Sequence, residues 1–142
     1  TKNELPRQQH VRLLTLLELD AALAGAVLDW IDPDIEAHFP DGGEDAAYAD
    51  TDPQYRTPNS MLTSTSELLA IRGFDAESYA ALAPYVTVLP IGTTINVNTA
   101  SAYVLASLSE ELDLSTAESL IEERAGAQFT DIDAVFVGLV AE

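Results

Sequence analysis

From Asp32 to Asn59 the chain reads DPDIEAHFPDGGEDAAYADTDPQYRTPN, 28 residues with neither a helical nor a strand period, set between two segments that both have helical spacing. An unstructured stretch of this length is uncommon inside a compact domain, where segments beyond about 12–15 residues are either functional or disordered. Tyr48, Tyr55, Phe39 and the closely spaced Pro and Gly favour an ordered loop. Any fold for this chain must therefore hold a long irregular segment by something other than a backbone ladder.

The same stretch concentrates charge. Between Asp29 and Asp52 stand nine carboxylates (Asp29, Asp32, Asp34, Glu36, Asp41, Glu44, Asp45, Asp50, Asp52) and no Lys or Arg. The whole chain carries 24 Asp plus Glu against 6 Lys plus Arg, a formal charge of −18. A surface this negative repels phosphate backbones and anionic lipid, since nucleic-acid affinity comes mainly from cationic side chains displacing counterions. A cation is the natural partner. Calcium takes six to eight oxygens from carboxylates, amides, backbone carbonyls and water, and accepts irregular geometry; a loop with Gly42 and Gly43 among its acids suits it. The spacing is not that of an EF-hand. The alternative is a solvated acidic loop, against which stands the mutual repulsion of nine like charges that Arg56 alone offsets only in small part.

Other chemistries find little support. There is no cysteine, hence no disulfide, thiolate nucleophile or Cys-type zinc site. His10 and His38 lie 28 residues apart, outside any zinc-ligand spacing, and each reads as a surface or packed residue. Paired carboxylates can hydrolyse glycosides, but none here has a distinct apolar setting, and Trp30 reads as core at the end of its helix. No Ser-His-Asp order, nucleophile elbow or Gly-rich phosphate loop occurs. With 47% apolar residues the chain can bury a real core. No apolar run approaches the roughly 18 residues of a membrane span. A start at Thr1 and an apolar end, Val135 to Val140, lead us to expect part of a longer protein.

The pattern predicts a mainly α domain. RQQHVRLLTLLELDAALAGAVLDWI reads as two helices, the second capped by Asp20, running from Ala21 to about Ile31 and stopped by Pro33. Ser64-x-x-Glu67 is a capping box for a short helix ended by Gly73. Asp75 caps the next, Ala76 to about Leu82, closed by Pro84. YVTVLP and TTINVN alternate and are β-branched, which allows at most a short strand pair. Thr99 or Ser101 caps a helix to about Leu108, and Ser115-x-x-Glu118 is a second capping box for a helix to about Gly126. Asp131 is a cap for the apolar IDAVFVGLV segment. The organisation expected is one α-domain, 1–142: helices and acidic loop over 1–63, a first helical hairpin over 64–90 and a second over 91–142.

Asn96-Val97-Asn98-Thr99-Ala100, the Ala117–Ile121 helix and Arg124 followed by Phe129 resemble helix-hairpin-helix modules of DNA-binding competence proteins. Those modules bind phosphate through a Gly-rich hairpin. Here the turn is Leu108-Ser109-Glu110-Glu111-Leu112-Asp113, with acids in place of glycines, so the hairpin reads as a packing unit, and a nucleic-acid-binding module remains as the alternative function.

A second resemblance covers most of the chain, from about Leu13 to Phe136. In order, DWIDPD, GGED, DPQYR, Asn59, SELLAIRGF, PYVTVLP and INVNTAS resemble the minor pseudopilin K family of bacterial type II secretion systems (general secretion pathway protein K). The resemblance implies a SAM-like helical domain inserted in a pilin-like fold, with no catalysis. It implies a structural subunit of the pseudopilus tip, in the periplasm, anchored in the inner membrane only through an N-terminal helix absent from this sequence. Its implied partners are the minor pseudopilins I and J, with the secretin or exoproteins as further contacts and no nucleic acid. It also implies bound calcium. Carried over by position, the family's acidic motif maps to Asp29, Asp32 and Asp34, to Glu44 and Asp45, and to Tyr55, Arg56 and Asn59; of these Asp32, Asp34, Glu44 and Asp45 supply oxygens, with Asn59 as a further ligand and Arg56 pairing with a spare carboxylate. Gly43 and Gln54 depart from the family pattern, which usually has Ala and Pro there.

Overall fold

The structure, a computed structural model, describes residues 4–133. Those residues are mainly helical: α1 (Glu4–Leu16), α2 (Leu23–Ile31), α3 (Ala76–Leu82), α4 (Ala102–Ala106) and α5 (Leu114–Gly126), with short 3-10 turns at Asp45–Tyr48, Thr65–Ala70 and Ala83–Tyr85. No helix among them is long and apolar enough to cross a membrane. Strands are absent from the described residues. The alternating YVTVLP and TTINVN segments are irregular, because period-2 patterning gives a strand only when a partner closes its hydrogen bonds. The segment that Asp131 was expected to cap lies, from residue 134 on, outside the described residues. The chain divides into two compact units, Leu17–Val88 and Thr1–Leu16 with Leu89–Glu142.

In the first unit Asp20 does start the turn into α2, accepting from the Ala22 N–H at 2.9 Å. The helix itself begins later than expected, at Leu23, since Leu23, Ala24 and Gly25 bond three residues back in a tight first turn. Trp30, buried on α2, packs edge-on against Tyr48 and Tyr55, with ring centroids at 5.4 and 6.2 Å. The Tyr48 hydroxyl accepts from the Arg72 N–H at 3.1 Å, and the Tyr55 hydroxyl donates to the Ala70 carbonyl at 2.7 Å. The loop is thus ordered by its tyrosines: Tyr48 enters the core, and the more exposed Tyr55 packs against it. Phe39 takes no part, being 94% exposed. Ser64 and Glu67 form the expected capping box, but on a 3-10 turn that ends at Ala70. Gly73 follows with φ +91°, and Asp75 caps α3 through the Ser78 N–H.

In the second unit α4 and α5 pack on a cluster of Val97, Leu105, Ala106, Leu112, Ala117 and Leu120. Ser101 caps α4. The Ser115 box does not form. Asp113 caps α5 instead, accepting from the Thr116 N–H at 2.7 Å, so the helix starts two residues earlier, at Leu114. Arg12 of α1 donates to the Ser107 and Leu108 carbonyls at 2.7 and 2.9 Å, satisfying acceptors left free at the end of α4. Asn98 exchanges two bonds with the Phe129 backbone, and Arg124 donates to the Val97 carbonyl. The residues that resemble a helix-hairpin-helix module therefore tie the unit together. In the turn, Ser109 takes the Glu111 N–H and Asp113 that of Thr116.

Candidate metal centre

Asp32 caps the C-terminus of α2: its N–H closes the last bond to Leu28, and its extended backbone turns the chain outward. Asp34 follows in a tight turn, its Oδ1 accepting from the Glu36 N–H at 2.9 Å. Glu44 enters from the far side as the N-cap of the Asp45–Tyr48 turn, which buried Tyr48 holds in place. Asp32, Asp34 and Glu44 each bring a carboxylate oxygen to within 4.8 Å of the others. Asn59, at φ +46°, a conformation Asn tolerates better than most residues, donates from Nδ2 to the Asp34 carbonyl at 2.9 Å.

Three oxygens in this region are shielded from solvent yet have no hydrogen-bond partner: Asp32 Oδ1, Glu44 Oε1 and Asn59 Oδ1. Leaving such atoms unpaired is costly, and an oxygen-only set is the donor chemistry of a hard cation. Burial, reinforced by Asp34, pushes the Asp32 carboxyl above its ordinary value. Burial also raises Glu44, against the opposing bond from the Thr57 hydroxyl, and Asp29, Asp32 and Asp34 add to the rise. Both groups hold negative charge reluctantly where no cation balances it.

Asp45 takes a different role. Its Oδ1 accepts from the Thr57 N–H and hydroxyl at 3.1 and 2.9 Å, and its Oδ2 lies 3.8 Å from Arg56 Nε. The Arg56 partner is thus one of the residues expected to ligate, and Asp45 stands outside the three-carboxylate group. Asp41, Asp50 and Asp52 are exposed. Two residues take roles that the sequence did not assign to them. Asp29, wholly buried, accepts from the His38 N–H and pairs with His38 Nδ1, and Asp32 Oδ2 lies 3.5 Å from Nδ1. Asp29, Asp32 and His38 also bring one ligand atom each to within 4.8 Å of one another. Only the position of Asp29 within DWIDPD hinted at this, and nothing in the sequence marks His38 as its partner.

Residues 1–91 match the family model described as type II secretion system (T2SS), protein K, and residues 95–140 match a second model of the same description. The chain belongs to the type II secretion system protein K family. Protein K of Pectobacterium carotovorum subsp. carotovorum is 37% identical over 134 residues, covering 87% of this chain and 40% of the relative. Protein K of Aeromonas hydrophila is 35% identical over 132 residues, with the same coverage of 87% and 40%. The chain therefore spans about 40% of the length of these relatives. In fold, it is similar to a chain of the GspK-GspI-GspJ complex from the type 2 secretion system of enterotoxigenic Escherichia coli, with a TM-score of 0.68 and 24% identity over 82% of this chain and 54% of that one.

Proposed function

We propose that this chain is the helical region of a structural, non-enzymatic pseudopilus-tip subunit in type II protein secretion, whose acidic loop folds around calcium. Asp32, Asp34 and Glu44 would hold the ion with Asn59, and backbone carbonyls or water would complete the six to eight oxygens that calcium takes. Bound calcium supplies charge balance and cross-linking here, with no chemistry. The observation that carries this reading is the set of shielded, unpartnered oxygens on Asp32, Glu44 and Asn59 beside the exposed carboxylate of Asp34. Asp45 belongs with Thr57 and Arg56 in the wall of the loop.

Family membership and likeness to a chain of the GspK-GspI-GspJ complex support assembly with minor pseudopilins I and J. The site of action we propose is the periplasm, with the whole protein held at the inner membrane by a segment outside this sequence. Purified chain, stripped with chelator, tests the metal. Calcium at 100 times its Kd stabilises a folded-state-only binder by about 2.7 kcal/mol, which for a chain of this size raises the melting temperature by about 5–10 °C. Magnesium, which demands near-octahedral geometry, should shift it far less. A midpoint unmoved by millimolar calcium contradicts the proposal.

A further inference from the structure

Gly25 and Asp29 lie four residues apart on α2 and so share one face of the helix. That face receives the turn formed by residues 38–42. A Cβ at Gly25 would sit 3.1 Å from Asp41 Cβ and 3.2 Å from its carbonyl carbon, so the small residue lets the turn lie close against the helix. The Asp29 carboxylate, 0% exposed, accepts from the His38 N–H at 3.1 and 3.2 Å and pairs with His38 Nδ1. The Gly42 N–H closes the turn on the His38 carbonyl at 2.6 Å. A side chain at Gly42 has no room: its Cβ would overlap Asp29 Oδ2 and the His38 nitrogen and lie 2.6 Å from the His38 oxygen.

Two residues beyond Gly42 stands Glu44, the carboxylate that approaches Asp32 and Asp34 from the far side of the loop. We infer that Asp29, His38 and Gly42 form a latch on α2 that positions Glu44, so that His38 and Gly42 set calcium affinity without contacting the ion. The inference deepens the calcium reading above and rests on it. His38 Nδ1 is committed to Asp29, and calcium prefers oxygen. A buried carboxylate without partners is costly, and His38 supplies its partners from both backbone and ring. Loss of the latch releases the chain leading into Glu44, leaving it held only from the Tyr48 and Thr57 side, and the ion must then order the rest itself.

Calorimetric titration of the folded, chelator-stripped chain with calcium chloride tests this in wild type, His38→Ala, His38→Asn, Gly42→Ala and, as a control with open space around its Cβ, Gly126→Ala. Removing groups that orient metal ligands typically costs about 10–100-fold in affinity. His38→Ala and Gly42→Ala should therefore raise Kd by about tenfold or more with stoichiometry unchanged. His38→Asn, whose amide N–H can occupy the place of Nδ1, should stay near wild type, as should Gly126→Ala. If Gly42→Ala fails to fold, the two His38 variants decide. Calcium binding by wild type with equal Kd in His38→Ala overturns the latch alone. Absence of binding by wild type overturns the calcium reading, and this inference with it.

Discussion

Asp32 and Glu44 are carboxylates whose surroundings disfavour charge, and the sign of that effect predicts how the protein responds to pH. Burial, with neighbouring acids, raises both above their ordinary values of 3.8 and 4.5. In the cation-free protein each therefore holds its proton more tightly folded than unfolded. Their contribution to stability is fully present below the ordinary values and is lost as pH rises through the raised ones. Calcium must displace those protons, so its effect on the melting temperature should grow as pH rises through the raised values, read from melts with and without calcium over a pH series. Asp32→Ala and Glu44→Ala should abolish the calcium shift, whereas exposed Asp50→Ala should keep most of it; equal losses in thermal melts would show the ligand set to be wrong. His10 carries the opposite sign. Its Nε2 is shielded and unpartnered, and burial lowers its pKa below 6.5. The stability it contributes is present above 6.5 and is lost as pH falls toward and through the folded value. His10→Leu should remove that acid-side loss, measured as the difference in melting temperature between about pH 5 and pH 7.5 for wild type and variant in chelator. A wild-type slope retained in the variant would place the sensitive group elsewhere.

Helix ends show which local signals the sequence carries and which it hides. Asp75 was legible as a cap, whereas at α4 the sequence offered Thr99 or Ser101 and the structure uses Ser101, whose side chain accepts from the Val104 N–H. At α5 two patterns overlap: Ser115-x-x-Glu118 has the form of a capping box, and Asp113 three residues before Thr116 is an equally good cap. The burial of Leu112 and Ala117 selects the second. Asp113→Ala should therefore lower the denaturant midpoint and Ser115→Ala much less. The reverse order would restore the Ser115 start. The acidic bonds at Asp113 also hold its carboxyl below the usual range, through the Thr116 N–H first. YVTVLP misled because alternation reports which faces a segment offers and says nothing about a partner strand. The loop's acids were legible by composition, but the pairing of Asp29 with His38 across nine residues depends on a turn that only the close approach allowed by Gly25 and Gly42 creates.

For the molecule as a whole, the formal charge of −18 takes on a location. In the unit Leu17–Val88, Trp30 of α2 packs with buried Tyr48 and partly exposed Tyr55 of the loop, and Asp32, Asp34 and Glu44 converge at the end of α2. In the other unit two of the cations are drawn into the fold, Arg12 onto the Ser107 and Leu108 carbonyls and Arg124 onto the Val97 carbonyl. Aromatic packing can order the rest of the loop; it does nothing for three converging carboxylates, whose repulsion needs an opposite charge nearby. That is why the fold class could be read from helical spacing and caps, while the shape of the loop could not. The most direct measurement is a crystal of the chain grown with calcium and examined by anomalous scattering. A peak is expected between Asp32, Asp34 and Glu44, within ligand distance of Asn59 Oδ1, with His38 still paired to Asp29. No peak there, or one ligated by His38 Nδ1, would contradict it.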